Sequence, residues 1–219
     1  MSLQPAPLTI FTLNARGLNT PEKRAGAHKD FRAAHASIVF LQETHFRAGS
    51  RPTLTNQHYP KGYYSDFQGG KSRGTAILLH RHLPFTETGV MTDPEGRFLF
   101  LKGTIANTTY TFANLYAPNR GQYKFLAKTL RTLVGFQEGI LIIGGDLNVT
   151  LDPKWDSSSG HSHISLQYLT AIKALLTRAK LVDCWRAFHP DERDFTFYSH
   201  PHNSYTRIDY LLVPSHHIP

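Results

Sequence analysis

The sequence predicts an α/β protein built from mixed sheets covered by helices. Short apolar runs recur along the chain, separated by Gly, Pro, Asn and Asp. Two stretches repeat apolar residues at a helical period, and a third opens with a helix-start signal. No run approaches the ~20 apolar residues of a membrane-spanning helix. Residues 8–13 (LTIFTL) read as a buried strand, and Thr20-Pro21 then offers an N-cap with proline at the first helical position, for a helix running through Phe31 toward His35. Residues 37–41 (SIVFL) form a second strand ending at Gln42-Glu43. Strands follow at 75–79, 97–105 and 109–116, and Phe125, Leu126, Leu130 and Leu133 mark a helix over 123–136. Residues 140–143 are a core strand running into Gly144-Gly145-Asp146. Leu166, Leu169, Ile172 and Leu176 line one face of a helix over 165–178. Residues 195–198 and 207–213 read as two strands joined by a polar, proline-containing connection. The order is not a clean β-α-β repeat, which favours mixed sheets.

A chain of 219 residues suits a single domain, 1–219, with 40% apolar and 18% charged residues. The net charge of +8 points to a polyanionic partner. The lone Cys184 excludes an internal disulfide framework, and no cysteine cluster exists for a structural zinc. The N-terminus lacks the basic and apolar regions of a secretory signal, so the expectation is a soluble, intracellular protein without a membrane anchor.

Polar residues recur where the apolar strands stop. Asn14 follows the first strand, Glu43 the second, Tyr116 and Asn119 close the 109–116 strand, Asp146 and Asn148 follow residues 140–143, and Asp209 lies in the last strand. Strands that feed one end of a sheet would gather these groups, and Glu43, Asp146 and Asp209 together would repel unless a cation neutralised them. Oxygen-only ligands select a hard ion, Mg²⁺ or Mn²⁺, which commonly works on phosphate substrates. Taken singly, these residues are ordinary turn formers. Their joint order carries the signal.

Asn14 in TLNARGLN, LQETH around Glu43, NLYAPN from Asn114 to Asn119, GGDLN from Gly144 to Asn148, FTFYS from Phe195 and RIDYLLV around Asp209 stand in one order. Together they resemble the endonuclease/exonuclease/phosphatase superfamily, which includes DNase I and the apurinic/apyrimidinic endonucleases. NARGLNTPEKR and YAPN resemble the endonuclease domains of LINE-type non-LTR retrotransposons. The resemblance implies a four-layered, DNase I-like fold of two sheets flanked by helices. It also implies a Mg²⁺-dependent nickase that primes target-primed reverse transcription, with double-stranded DNA as partner, a fused reverse transcriptase and action in the nucleus. Glu43 then resembles the principal metal ligand, with Asn14 beside it. Asp146 would polarise the attacking water, Asn148 would position it, Tyr116 would donate to the phosphate, and Asp209 would orient a catalytic histidine. Asn119 and Thr196 match the DNA-facing side. Between Thr196 and Asp209 the family has a protruding hairpin that enters the minor groove, which here implicates Tyr198, His200, His202, Tyr205, Arg207 and Ile208.

The family pattern closes with a Ser-Asp-His triplet after the Asp209 strand, and this sequence reaches Pro219 without it. The expectation is a domain cut before its final strand, with Asp209 left without its imidazole and Ser215-His216-His217 a solvated tail. Alternative functions are an abasic-site repair endonuclease and a catalytically weak DNA-binding module.

Overall fold

Alternation along one strand sets the layers. In the computed structural model, which describes residues 7–218, the strand Ile38–Gln42 is buried on both faces. Ile38 and Phe40 point into the space between two sheets, and Val39 and Leu41 point outward beneath a helix. Residues 1–6, which include most of the N-terminus read above for a signal, lie outside the described residues, as does Pro219. In chain order the elements are β1 (Ile10–Asn14), α1 (Pro21–Ala33), β2 (Ile38–Gln42), β3 (Lys61–Ser65), β4 (Thr75–Leu79), β5 (Phe85–Thr92), β6 (Phe98–Ile105), β7 (Thr108–Tyr116), α2 (Gln122–Val134) and β8 (Ile140–Asp146). They continue as α3 (Pro153–Asp156), α4 (Leu166–Arg178), β9 (Leu181–Asp183), α5 (Cys184–Phe188), β10 (Phe197–Ser199), β11 (Ser204–Thr206) and β12 (Asp209–Pro214).

One sheet has the order β1-β2-β4-β3 and the other β5-β6-β7-β8-β12-β9. Between them Phe40, Ile77, Leu79, Phe85, Leu99, Leu101 and Phe112 form the central core. Phe31 and Ala27 of α1 cover the outer face of the first sheet. Leu126, Leu130 and Leu133 of α2, with Leu169, Ile172 and Leu176 of α4, cover the outer face of the second. The fold is therefore the four-layered, DNase I-like sandwich expected, with α1 on one side and α2 and α4 on the other. Thr20 caps α1 as the sequence indicates, its side chain accepting from Lys23 N, and Ser165 caps α4 by accepting from Tyr168 N. No helix among the described residues is long and apolar enough to cross a membrane.

Buried amides lock the two sheets together. Asn114 Nδ2 donates to the carbonyls of Leu41 (2.9 Å) and Ala76 (2.8 Å) in the opposite sheet. Gln42 Nε2 returns a bond to Asn114 Oδ1 (2.7 Å) and another to Thr12 Oγ1 (3.1 Å). The glycines before Asp146 have separate reasons. A Cβ on Gly144 would lie 2.5 Å from the Phe40 ring, so the sheets could not approach as they do. Gly145 has φ +130° and would bring a Cβ within 2.0 Å of the Leu115 carbonyl oxygen.

Two features depart from the sequence reading. The connection between the strands read at 195–198 and 207–213 holds a further strand: β10 pairs with the short β11, and β12 pairs with β8 and β9. The connection itself contains a strand too short to show alternation. Arg207, expected on the DNA-facing hairpin, instead turns inward and is 3% exposed. Its Nη2 donates to Asp156 Oδ1 (2.9 Å) and Asp183 Oδ2 (2.6 Å), and Arg186 Nη2 also reaches Asp156 Oδ1 (2.5 Å). Desolvating a guanidinium requires such partners. This cluster ties α3, β9 and α5 to the base of the hairpin. Asp156→Ala should therefore destabilise the fold by roughly 3–5 kcal/mol, because it removes the buried carboxylate that two inward-turned guanidinium groups share. Urea unfolding reads the effect, and an unchanged midpoint and slope would show the cluster to be dispensable.

Candidate active site

Sheet register builds the site. Tyr116 lies opposite Asp146 on the parallel β7–β8 pair, and Asp209 lies opposite Asp146 on the antiparallel β12–β8 pair. One row across three adjacent strands thus presents a phenol and two carboxylates. The other sheet contributes Asn14, at the end of β1, and Glu43, just past β2. Asn14 Nδ2 joins the two halves, donating to Glu43 Oε1 and Asp146 Oδ2, both at 2.8 Å. Asn148 N donates to Asp146 Oδ1 (2.8 Å), and Asn148 Nδ2 donates to the Ala117 carbonyl (2.8 Å). The structure therefore brings Asn14, Glu43, Tyr116, Asp146, Asn148 and Asp209 to one place.

The electrostatics of this cluster are unfavourable without compensation. Burial and the facing Asp209 push the Asp146 carboxyl up to about 7, against the bonds from Asn14 and Asn148. Burial also raises Asp209, whose Oδ1 is shut off from solvent with no hydrogen-bond partner. Tyr116 is raised well above the usual phenol range by burial and by its approach to Glu43, so it stays a donor. Oxygen donors of this kind, two carboxylates and an amide drawn together against repulsion, fit a hard cation that keeps several waters. Glu43 and Asn14 carry oxygen atoms that could bind such an ion. Among the described residues no group of three or more His, Cys, Asp or Glu is placed to hold a metal ion of any kind, so an ion here would rely on fewer carboxylates, an amide and water.

Glu43 and His45 both take left-handed backbone angles, φ +52° and +56°. Such angles in non-glycine residues persist only when their surroundings enforce them. Here Gly17 N donates to the Glu43 carbonyl (2.7 Å), Asn19 Nδ2 to the His45 carbonyl (2.9 Å), and His45 N to the Arg73 carbonyl (2.8 Å). His45 Nε2 lies 3.1 Å from Glu43 Oε2, leaving the carboxylate gripped at both oxygens. Sequence reasoning missed His45, although it sits inside the LQETH motif two residues from Glu43. Arg97 was missed as well; its guanidinium lies 5.1 Å from the Tyr116 ring centre, and its Nη1 donates to the Tyr116 carbonyl (3.3 Å).

Two cavities flank the cluster. The larger, about 860 Å³, is bounded by β1 (Thr12, Leu13, Asn14), Asp209, Trp185, Phe188, Tyr198 and His200. The side of β1 away from β2 has no strand partner among the described residues, and it borders this cavity. The open edge therefore lies in the first sheet, whereas β12 is interior to the second. The smaller cavity, about 300 Å³, is lined by Asn119, Asn148, His163, Phe197 and Ile208. Thr196 is exposed, yet its Oγ1 accepts from the backbone N–H groups of Ile208 (3.2 Å) and Asp209 (3.4 Å). On the hairpin His200 and Tyr205 are exposed, and Tyr198 packs between them with ring centres 4.7 Å from each. The side chain of His202 lies outside the described residues.

The raised carboxyls give a stability prediction. A folded state whose carboxyls hold protons to higher pH than the unfolded chain loses stability as pH rises from about 4 through the folded values. In metal-free buffer, wild-type Tm relative to Asp209→Asn should therefore fall between pH 5 and pH 8. Thermal scans of both proteins read it, and a constant difference would mean that the carboxyl pair carries no shifted proton.

The chain matches the Endonuclease/Exonuclease/phosphatase family over residues 11–219. It is similar to the "Transposon TX1 uncharacterized 149 kDa protein" of Xenopus laevis, with 29% identity over 95% of this chain but only 16% of that protein. Among solved structures it is similar to the AP endonuclease LMAP from Leishmania major, at TM-score 0.73 and 19% identity, covering 94% of this chain and 78% of that one. It is also similar to the endonuclease domain of TRAS1, a telomere-specific non-LTR retrotransposon, at TM-score 0.68 and 16% identity, covering 96% and 86%. The resemblance read from the six ordered motifs is thereby borne out. With its motifs gathered at the edge of a two-sheet sandwich, this chain belongs to the endonuclease/exonuclease/phosphatase family.

Proposed function

We propose that the chain is a retrotransposon endonuclease domain that nicks one strand of duplex DNA by phosphodiester hydrolysis, priming target-primed reverse transcription. The observation that carries the proposal is the Asn14 amide joining Glu43 to Asp146 beside Tyr116 and Asp209. A transposon protein as relative supports the retrotransposon setting. The chain spans 16% of that protein, which leaves room for a fused reverse transcriptase. Action on a genomic target would take place in the nucleus.

Glu43 and Asn14 would hold Mg²⁺, with Mn²⁺ as a substitute, and the ion supplies charge neutralisation at the phosphate. Asp146, held by Asn14 and by the Asn148 N–H, accepts a proton from the attacking water. Asn148 positions that water. Tyr116 donates its phenolic proton to a phosphate oxygen, and its raised pKa keeps the proton available. Asp209 accepts from an imidazole at its unpartnered Oδ1; the family resemblance assigns that ring to a Ser-Asp-His segment. Fixed groups around a phosphate accelerate in-line attack mainly by positioning and charge stabilisation. Asn119, Thr196, Ile208 and the His200 and Tyr205 tip would face the duplex.

Supercoiled plasmid nicking in Mg²⁺ against EDTA tests the activity. Glu43→Gln should lower the rate by about 10²-fold or more, the scale of losing one charge-stabilising group. Undiminished nicking by this variant would remove Glu43 from the site. The same assay on the chain continued through a Ser-Asp-His segment should show a gain of ~10²–10⁴-fold, the usual contribution of an acid–base group. Equal rates would mean that a histidine of this chain already serves Asp209, and DNA binding without turnover in both would favour the binding-module reading. Cleavage restricted to abasic sites would favour the repair reading.

The hairpin should govern where the cut falls, since phosphate chemistry resides at the strand ends and target choice depends on groove fit. Replacing residues 200–203 with an Asn-Gly turn should leave turnover on plasmid within a few-fold and redistribute nicks on a long duplex. An unchanged cleavage ladder would show that selection lies elsewhere.

A further inference from the structure

An arginine stands beside the strand-end cluster, and nothing above gives it a role. Arg16 follows Asn14 by two residues, in the turn that leaves β1. Its backbone is left-handed, φ +46°, and Gly17 after it has φ +93°. An L-residue keeps such an angle only where its surroundings enforce it. The enforcing bonds come from the site itself. Arg16 N donates to Asn14 Oδ1 (3.2 Å), Gly17 N to the Glu43 carbonyl (2.7 Å), and Lys23 Nζ to the Arg16 carbonyl (2.9 Å). The same turn that fixes Asn14 and Glu43 thus fixes where the Arg16 side chain departs.

Arg16 is exposed, and its guanidinium lies over the ring of Phe197, the first residue of β10, 4.9 Å from the ring centre. Stacking on an aromatic face holds a guanidinium in place and leaves its in-plane N–H groups free to donate. At an exposed site the stack itself adds little to stability. Arg16 lines the large cavity with Asn14, Asp146 and Asp209. Two arginines line that cavity, and they differ. Arg207 is neutralised by Asp156 and Asp183, whereas Arg16 forms no salt bridge among the described residues. Its charge is nevertheless felt at the site: burial lifts the Asp209 carboxyl, and the Thr196 hydrogen bond and the Arg16 charge pull it back. The carboxylates of Glu43, Asp146 and Asp209 would repel a phosphodiester that met them alone. Arg16 sets a permanent positive charge on the wall they share.

We propose, on the footing of the hydrolytic reading above, that Arg16 is a catalytic residue whose guanidinium grips a non-bridging oxygen of the phosphodiester being cut. The planar fork of N–H groups suits phosphate oxygens, and a fixed cation counters the charge that grows on them during in-line attack. No bond to Arg16 forms or breaks, and it moves no proton. Its role differs from that of an ion held by Glu43, because a guanidinium keeps its charge at any working pH and needs no metal to do so.

Binding and turnover of the full chain are measured separately, with Tm recorded for every variant. In EDTA, anisotropy across a range of salt reads binding to a several-turn duplex. Arg16→Gln should bind more weakly, with a log–log salt slope shallower by about 0.9, the share of one phosphate contact. In Mg²⁺, Arg16→Gln should nick saturating plasmid about 10²-fold more slowly than wild type, the scale of one lost charge-stabilising group. Arg16→Lys keeps the charge without the planar fork, so it should restore the slope and only part of the rate. Phe197→Leu removes the stack but not the charge and should keep the wild-type slope. An arginine that merely braced the hairpin would make Phe197→Leu and Arg16→Gln behave alike, which would overturn the proposal. So would a wild-type slope and rate in Arg16→Gln. A shallower slope with an undiminished rate would put the contact at another phosphate and overturn the catalytic assignment. If wild type cuts nothing in Mg²⁺, the hydrolytic reading fails by itself, and the slope in EDTA still decides whether Arg16 holds a phosphate.

Discussion

Everything at the active site depends on how the two sheets are held against each other. Glu43 and Asn14 belong to one sheet, and Tyr116, Asp146 and Asp209 to the other, so a slide of one sheet along the other would dissolve the cluster. Apolar packing alone does not set such a position, because Phe40, Phe112 and Leu101 are attracted without direction. The buried amides supply the direction. Asn114 and Gln42 are both fully buried, and an unmade bond there costs more than a made one contributes. The same logic repeats at the rim, where Asn14 bridges the sheets through carboxylates instead of carbonyls.

A site assembled this way carries a built-in electrostatic conflict. Strand register sets Asp209 directly opposite Asp146, and Asn14 draws Glu43 toward the same point. Burial and, after it, the facing Asp209 outweigh the neutral donors, which is why the Asp146 carboxyl rises instead of falling under its hydrogen bonds. The proposed hard cation would resolve that conflict directly. The acidic cluster deeper in the fold is resolved differently: Asp156 and Asp183 are met by Arg207 and Arg186, which closes them to any ligand. One acidic cluster is thus neutralised within the fold, while the other keeps its repulsion.

The surface follows a comparable division. Aromatic and imidazole groups gather at the β10–β11 hairpin, where Tyr198, His200 and Tyr205 pack on one another. The outer faces of α2 and α4 carry exposed Lys and Arg side chains and no acids.

Much of this was legible in the sequence, because strands, caps and motif residues are local properties. The apolar run of β2, the Thr20-Pro21 and Ser165 helix starts and the apolar run into Gly-Gly-Asp each depend on neighbours within a turn or strand. The ordered motifs named the six residues that meet at the site. Arg207 was misjudged because its charge argued for the surface, while its partners Asp156 and Asp183 lie 51 and 24 residues away in the chain. His45 was overlooked because a left-handed turn, not an extended one, carries it back onto Glu43. The main strands and helices, the family and the six strand-end residues were thus legible in the sequence, whereas the short elements β9, β11, α3 and α5 were not. Register between strands, burial of charge and the lifted Asp146 proton belong to tertiary structure, because each is a sum over groups that only folding brings within a few ångströms.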